Sequence, residues 1–455
     1  MPAMLKRSLL VLMLLVVALL ALVWAAKAPI KKAVEMYFYA YPLVLMEQTH
    51  LAMGGGHDTG PVNRFDHIRA FPDASFTAVI RPNNDTLYSS AWYDVSEQPM
   101  VLSVPDMGDR YFMFPIMDMW TEVVASIGSR TTGQAKGDFL LVAQGWQGEV
   151  VDGLQVVELA TDKGWIIGRT FSEGNDFAVI HPLQNQYQLR TVTDWQQGNS
   201  QPPSTAKTLK CQDCLTPPAL VASWNTATFY QHFAALLQRY PGHQQDEVIL
   251  ADLSRLGING EGDFDFDNLA SAQQWLLQAG AVMAKRILRD PPLPEPVDGW
   301  SIPLQDIGRY GINYAKRAVV ANIGLGANEP ADAVYPMSKV DSHHQPYDGS
   351  KHYKIHFGAD QIPPVNGFWS LTMYDENGYF VNNVIDRYSL GSRDSLHYNS
   401  DGSVDILLQH QPPSTDQNTN WLPAPAGAFT LTMRLYWPDE SVLTGHWYPP
   451  LVVKQ

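Results

Sequence analysis

Two stretches of this chain, one near each end, concentrate side chains that can recognise or transform a polar organic molecule. The first is Val79-Ile80-Arg81-Pro82-Asn83-Asn84-Asp85-Thr86-Leu87-Tyr88-Ser89-Ser90-Ala91-Trp92. A guanidinium offers a planar, bidentate fork to a carboxylate, a sulfate or a sugar, and aromatic faces wall a ligand. On this reading Arg81, Asn83, Asn84, Tyr88 and Trp92 bind, and Asp85 serves as acid or base. A structural reading stands beside it: Asn83 and Asn84 shape a turn while Arg81 pairs with Asp85.

Two further sets have the same double character. Arg110, Asp118, Trp120, Glu122 and Arg130 surround Tyr111–Phe114. Paired carboxylates there would suit a hydrolase, whereas ion pairs with Arg110 and Arg130 would make the set structural. Trp369, Tyr374, Asp375, Arg387 and Trp421 would suit stacking on sugar rings or other flat ligands. The alternative puts the tryptophans in a core, and it is the preferred reading for Trp369. Asp85, Asp118 and Asp375 are therefore the acid–base candidates of a hydrolase or lyase, with arginine stabilising developing negative charge.

Metal and cofactor templates fail. Asp263, Asp265 and Asp267 alternate as at the start of a calcium loop, but Asn268 stands where glycine is needed and Gln274 where glutamate is. His343 and His344 are adjacent and point apart. No phosphate loop, dinucleotide fingerprint, nucleophile elbow or H-E-x-x-H is present. The expectation is no metal and no cofactor. Cys211 and Cys214, the only cysteines, are read as a small-loop disulfide, with a redox pair as the sharper alternative.

The elements that must position these residues follow from pattern. Ala33 to Met53 reads as a helix kinked or split by Pro42. From Arg69 to Trp195 short runs punctuated by Gly, Pro and Asn read as strands: Ala74–Val79, Ser90–Val95, Met100–Val104, Tyr111–Ile116, Phe139–Val142, Leu154–Leu159 and Trp165–Thr170. The period then changes. Ala219–Tyr240, Gln245–Leu256 and Asp306–Ile323 read as helices, and Leu269, Ala272, Leu276, Ala279, Met283 and Ile287 mark one apolar helix face. Strand pattern returns at His352. In Phe429–Trp437 the apolar Phe429, Leu431, Met433, Leu435 and Trp437 alternate with Thr430, Thr432, Arg434 and Tyr436, giving one core face and one polar face.

The fold expected is α+β and mostly β: two antiparallel β-sandwich-like domains with a helical section between them, preceded by a hydrophobic anchor helix. The divisions fall at residues 1–28, 29–200, 201–335 and 336–455. Lys6 and Arg7 precede an uncharged run of 19 residues, Ser8 to Ala26. That is close to the ~20 residues of a spanning helix, so the segment reads as a retained anchor in the inner membrane, with a cleaved signal peptide as the alternative. The positive-inside rule puts the body on the periplasmic side, or makes it periplasmic or secreted if cleaved. Net charge is −15, from 31 basic and 46 acidic residues. An acidic body without a basic run argues against nucleic-acid partners.

Several motifs together resemble a known pairing of domains of unknown function, 1254 at the N-terminal side and 1214 at the C-terminal side. Tyr41-Pro42-Leu43-Val44, Arg81–Ser89, Asp109-Arg110-Tyr111 and Gly128–Gly133 carry the first resemblance. Phe368–Asp375, Arg387–Ser392, Tyr398–Ser403, Asn420–Pro425 and Tyr448-Pro449-Pro450 carry the second. The resemblance implies two β-sandwich-like domains with a helical section between them, commonly in exported bacterial proteins, and supplies no catalytic mechanism. The function expected is binding of a small polar organic molecule or saccharide in a cleft between two β domains. The rivals are a hydrolase or lyase and a structural protein working as a homo-oligomer.

Overall fold

A computed structural model describes residues 2–54, 62–76, 80–174, 176–201, 204–205, 215–262, 264–292 and 295–455, without the side chains of 2–26, 204–205 and 415–417. In chain order the elements are α1 (Pro2–Met53), β1 (Asp66–His67), β2 (Thr86–Asp94), β3 (Met100–Val104), β4 (Phe112–Asp118), β5 (Val123–Gly128), β6 (Gly137–Ala143), β7 (Gln155–Leu159) and β8 (Lys163–Phe171). There follow α2 (Phe177–Gln186), β9 (Gln188–Thr191), α3 (Val192–Gln197), β10 (Ser204–Thr205), α4 (Pro217–Ser223), α5 (Thr226–Arg239), α6 (Glu247–Ser254), α7 (Ser271–Arg289), β11 (Trp300–Ser301) and α8 (Tyr314–Gly324). The last are β12 (Ala333–Val334), β13 (Met337–Ser338), β14 (Tyr353–Phe357), β15 (Trp369–Asp375), β16 (Ser389–Gly391), β17 (Val404–Gln409), β18 (Trp421–Pro423), β19 (Phe429–Tyr436), α9 (Glu440–Leu443) and β20 (Val452–Lys454).

These elements sort into two compact units. The helical unit comprises Met1–Ala52, Cys211–Pro292 and Tyr310–Leu325. Pro42 does not split α1, which runs unbroken through Pro29 and Pro42. Burial outweighs the lost backbone bond there: Tyr37, Tyr39, Ala40, Leu43, Val44, Leu45 and Met46 have no exposed surface. The stretch Ala219–Tyr240 is two helices, because Asn225 caps α5 by accepting the Thr228 amide at 2.8 Å.

On α7 the buried face is not the expected one. Leu277, Gly280, Ala281, Ala284 and Leu288 are buried, whereas Met283 of the apolar stripe is 48% exposed. The small residues win because they admit a backbone. A Cβ on Gly280 would stand 2.7 Å from the Ala33 carbonyl carbon, so α1 and α7 touch there main chain to main chain. Among the described residues no helix is long and apolar enough to cross a membrane. The side chains of the Ser8–Ala26 run, on which the anchor expectation rests, lie outside those described.

The second unit holds both β regions: Met53–Lys210, Leu293–Arg309 and Gly326–Gln455. Its N-terminal half stacks the sheet β10-β1-β2-β8-β4-β5 on the sheet β7-β6-β3-β9. Inward residues of both, among them Tyr93, Leu102, Phe114, Leu141 and Ile166, share one core. Its C-terminal half stacks β11-β13-β19-β15-β16 on β18-β17-β14-β20, with Trp369, Leu371, Leu408, Leu431 and Met433 in the core. No sheet closes. The expected antiparallel pattern is corrected at three pairs, β1/β10, β6/β7 and β17/β18, which run parallel. Ala74 and Ser75, expected to open a strand, instead turn around Asp73, whose carboxylate accepts the Ser75 amide at 2.8 Å. The rest of that expected strand, residues 77–79, lies outside the described residues.

A third, smaller cluster belongs to neither sandwich. Tyr111, Met113 and Phe171 from the first meet Phe368 and Tyr436 from the second. The rings of Phe171 and Phe368 lie 4.0 Å apart, and those of Phe368 and Tyr436 4.1 Å apart. This aromatic seam fixes the two sandwiches to each other.

Candidate functional site

Beside the aromatic seam lies a polar one, and the Arg81–Trp92 motif enters it. Arg81 has φ 56°, a left-handed conformation that costs a non-glycine residue about 1–3 kcal/mol. Its N–H bond to the Gly378 carbonyl, 2.8 Å, holds it there. Gly378 itself (φ 88°) leaves no room for a Cβ, which would stand 2.7 Å from Ile80 Cγ2. The turn aims the guanidinium at β19, where Nη1 donates to Thr432 Oγ1 at 2.9 Å.

Asn83 serves both the structural and the functional reading. Its Oδ1 accepts the Asp85 amide at 2.6 Å, the expected turn, while Nδ2 donates to the Tyr436 hydroxyl at 2.8 Å and the Tyr88 hydroxyl at 3.4 Å. Asp85 does not pair with Arg81. It is fully buried, accepts from Ser370 Oγ at 2.6 Å, and faces Arg393 at 3.1 Å. The Asn84 carbonyl accepts from Arg393 at 3.1 Å, and its buried side-chain oxygen has no partner.

The opposite side comes from the expected Tyr374 together with Arg169, Tyr335, Arg434 and Tyr436, which were not among the candidates. Arg434, 3% exposed, donates to Thr372 Oγ1 and to the Tyr374 hydroxyl, both at 2.6 Å, and to the Pro82 carbonyl at 3.3 Å. The Tyr374 hydroxyl donates in turn to Pro82 O at 2.7 Å. Arg169 on β8, 7% exposed, lies 5.2 Å over the Tyr88 ring and donates to Asn328 Oδ1 at 3.2 Å. Tyr335 donates to the same Asn328 oxygen at 2.8 Å. Tyr88 and Tyr335 keep part of their surface in solvent, so at these two rings the polar seam opens as a partly exposed recess. Arg434, Tyr374 and Tyr436 are buried within the seam.

The electrostatics follow from this crowding of cations. Burial pushes the Tyr88 phenol up, but the Arg169 guanidinium, helped by Asn83 and Arg434, brings it below the ordinary value overall. Tyr374, Tyr335 and Tyr436 are pushed up, by burial first. Arg169 and Arg434 are held above their usual range: burial opposes this, and the tyrosine oxygens around each, with Asp85 for Arg434, outweigh it.

The remaining motif residues lie elsewhere. Trp92 is buried and stacks on Trp165 at 5.2 Å. Arg110 binds the Phe171 carbonyl at 2.7 Å and pairs with Asp176 at 2.7 Å. Arg130 pairs with Asp332 at 2.7 Å and Glu329 at 3.3 Å. Asp118 shapes the β4–β5 turn, its Oδ1 accepting the Trp120 and Glu122 amides at 2.9 Å each. Asp375 does likewise for Asn377 at 2.9 Å and Tyr379 at 2.8 Å. Arg387 holds the carbonyls of Asn418 at 2.9 Å and Trp421 at 2.8 Å. Trp369 and Trp421 are buried, Trp369 in the second core. Cys211 and Cys214 lie outside the described residues. A cavity of about 10 Å³, room for one water, lies beside Phe65, His67 and Tyr187 and involves none of the candidates.

Comparison with known proteins joins the two halves. A family model described as "Protein of unknown function (DUF1254)" matches residues 62–191, and one described as DUF1214 matches residues 332–440. The chain belongs to the proteins that pair these two domains. The DUF1254 region supplies Arg81, Asn83, Tyr88 and Arg169 to the recess, and the DUF1214 region supplies Tyr335, Tyr374, Arg434 and Tyr436. The crystal structure of the VPA0106 protein from Vibrio parahaemolyticus is similar, with a TM-score of 0.70 and 23% identity over 94% of this chain and 100% of that one. It shares the fold. An uncharacterised protein from Burkholderia cenocepacia matches with a TM-score of 0.42 and 12% identity over 95% of each chain. No curated protein matches the chain.

Proposed function

We propose that this chain binds a small polar organic molecule or saccharide in the recess between its two β sandwiches. One observation carries the reading: Arg81, Asn83, Tyr88, Arg169, Tyr335, Arg434 and Tyr436 converge from two separately built sandwiches on one partly open recess. A fold gains little from collecting so many buried polar groups at a seam, since each must recover the cost of leaving water. A binding site does gain, because preset donors beside aromatic walls are what select a polar ligand. The apolar Ser8–Ala26 run behind Lys6 and Arg7 supports an inner-membrane attachment with the body on the periplasmic side.

An enzyme of lyase or hydrolase type is the second reading. It is favoured by Tyr88, a phenol held below its ordinary pKa at the edge of the recess. A thermal-shift screen of the full chain in detergent, against sugars and organic acids, tests the binding reading. A ligand that raises the melting temperature of wild type and not of Arg81→Ala supports it. If nothing raises it and Arg81→Ala only melts earlier, Arg81 is a brace between sandwiches and the reading fails. Turnover of a ligand so found would move the assignment to the second reading.

A further inference from the structure

Resting on the binding reading, we infer that the recess takes an oxyanion: the ligand carries a carboxylate or an equivalent sulfate or phosphate group. The argument is a count of charges and protons. Three guanidiniums, those of Arg81, Arg169 and Arg434, sit in the seam beside Tyr88, Tyr374 and Tyr335, and among the described residues none forms an ion pair with a carboxylate. Asp85, which acts electrostatically on Arg434, faces Arg393. Arg81 instead spends its bonds on threonine hydroxyls, and Arg434 on Thr372, Tyr374 and main-chain carbonyls. Arg169 has a buried Nε with no acceptor.

The hydroxyls repeat the imbalance. Asn83 Nδ2 donates to the Tyr436 hydroxyl at 2.8 Å and to Thr86 Oγ1 at 3.1 Å, with the Tyr88 hydroxyl farther off at 3.4 Å, so the Tyr436 oxygen acts as an acceptor and the Tyr88 oxygen is at most a third, weaker one. No acceptor for either hydroxyl proton is found among the described side chains and carbonyls. The recess is therefore rich in donors, short of acceptors and positively charged. A neutral sugar brings about as many donors as acceptors and no charge, so it leaves the imbalance in place. An oxyanion brings acceptors only, together with the missing charge, and the arginine fork fits its geometry.

The test is calorimetric titration of the full chain in detergent at constant ionic strength. The probes are acetate, succinate, sulfate and inorganic phosphate, with glucose and galactose as neutral controls. Two variants, Arg81→Gln and Tyr436→Phe, each remove recess donors, and the second keeps its ring in the aromatic seam. The expected result is saturable binding of at least one oxyanion, weakened about 10- to 100-fold in each variant, as for loss of a hydrogen bond to a charged group. If a sugar binds with the same dependence on Arg81 and Tyr436 while no oxyanion does, the oxyanion assignment is overturned and the binding reading survives. If neither class binds, both fail. Oxyanion binding that both variants leave unchanged would place it elsewhere on the molecule and overturn the assignment.

Discussion

Replacing Asp85 by asparagine separates a counter-charge from a catalytic acid. The substitution keeps the side chain's shape and leaves an oxygen for Ser370, but it removes the anion facing Arg393. Asp85 has no exposed surface, and the Arg393 side chain is only 10% exposed. The cation left behind cannot be hydrated in place, and removing one partner of such a buried pair costs about 3–5 kcal/mol. With a urea dependence of ~3 kcal/mol per M, the unfolding midpoint should fall by about 1–1.7 M. Arg393→Met should be destabilising by itself, and the double variant should be more stable than additivity allows by about 2–3 kcal/mol. Urea unfolding of the four proteins, followed by tryptophan fluorescence, gives the cycle. A wild-type midpoint for Asp85→Asn would refute the counter-charge argument. If ligand turnover vanished in that same stable variant, Asp85 would be a functional acid after all.

Three other outcomes follow from the same geometry. His67 is pushed down to about 3 by burial, with Arg69 adding to the effect. The unfolded chain therefore binds a proton that the folded chain refuses. The stability tied to neutral His67 is complete above pH 6.5 and is lost as pH falls toward 3, so His67→Asn should flatten acid unfolding across that window. Asp118→Ala removes the acceptor of two amides in the β4–β5 turn; stability should fall by about 1–3 kcal/mol in urea unfolding while ligand affinity stays at wild type. Gly280→Leu drives a side chain into the α1 backbone at Ala33 and should destabilise the helical unit by about 1–3 kcal/mol, visible as an earlier loss of far-ultraviolet helical signal.

Local pattern made the strands and helices legible and left their partners hidden. The alternation in Phe429–Trp437 correctly gives β19 and its core face, because side-chain direction in a strand has a period of two. Its polar face reads as a surface, yet Thr430, Thr432, Arg434 and Tyr436 are all buried. The sandwich that covers them is drawn from residues more than 280 positions away. Arg434, at mid-strand between Met433 and Leu435, was the available signal; Arg169, between Gly168 and Thr170 on β8, gave a weaker one. Asp118 and Asp375 show the converse ambiguity. A carboxylate that organises a turn and one that moves a proton occupy similar polar contexts in sequence, and only the amides pointing at them tell the two apart. The helical unit was hidden for a simpler reason: α1 meets its partners across the mostly β stretch Met53–Lys210, which belongs to the other unit.

That separation also sets a timetable. The bonds joining Arg81, Asn83 and Pro82 to Thr432, Tyr436 and Arg434 span 351, 353 and 352 residues. During synthesis the N-terminal sandwich can close early, but the recess does not exist until β19 has been made and docked. Contacts of such range are slow to form, because the closure entropy is spent before any of them stabilises the chain. The recess is thus among the last features to form and reports on completion of the whole β unit. A molecule that occupies it favours the finished chain over every partly folded one, so its concentration would act on the yield of folded protein as well as on the stability of what has folded.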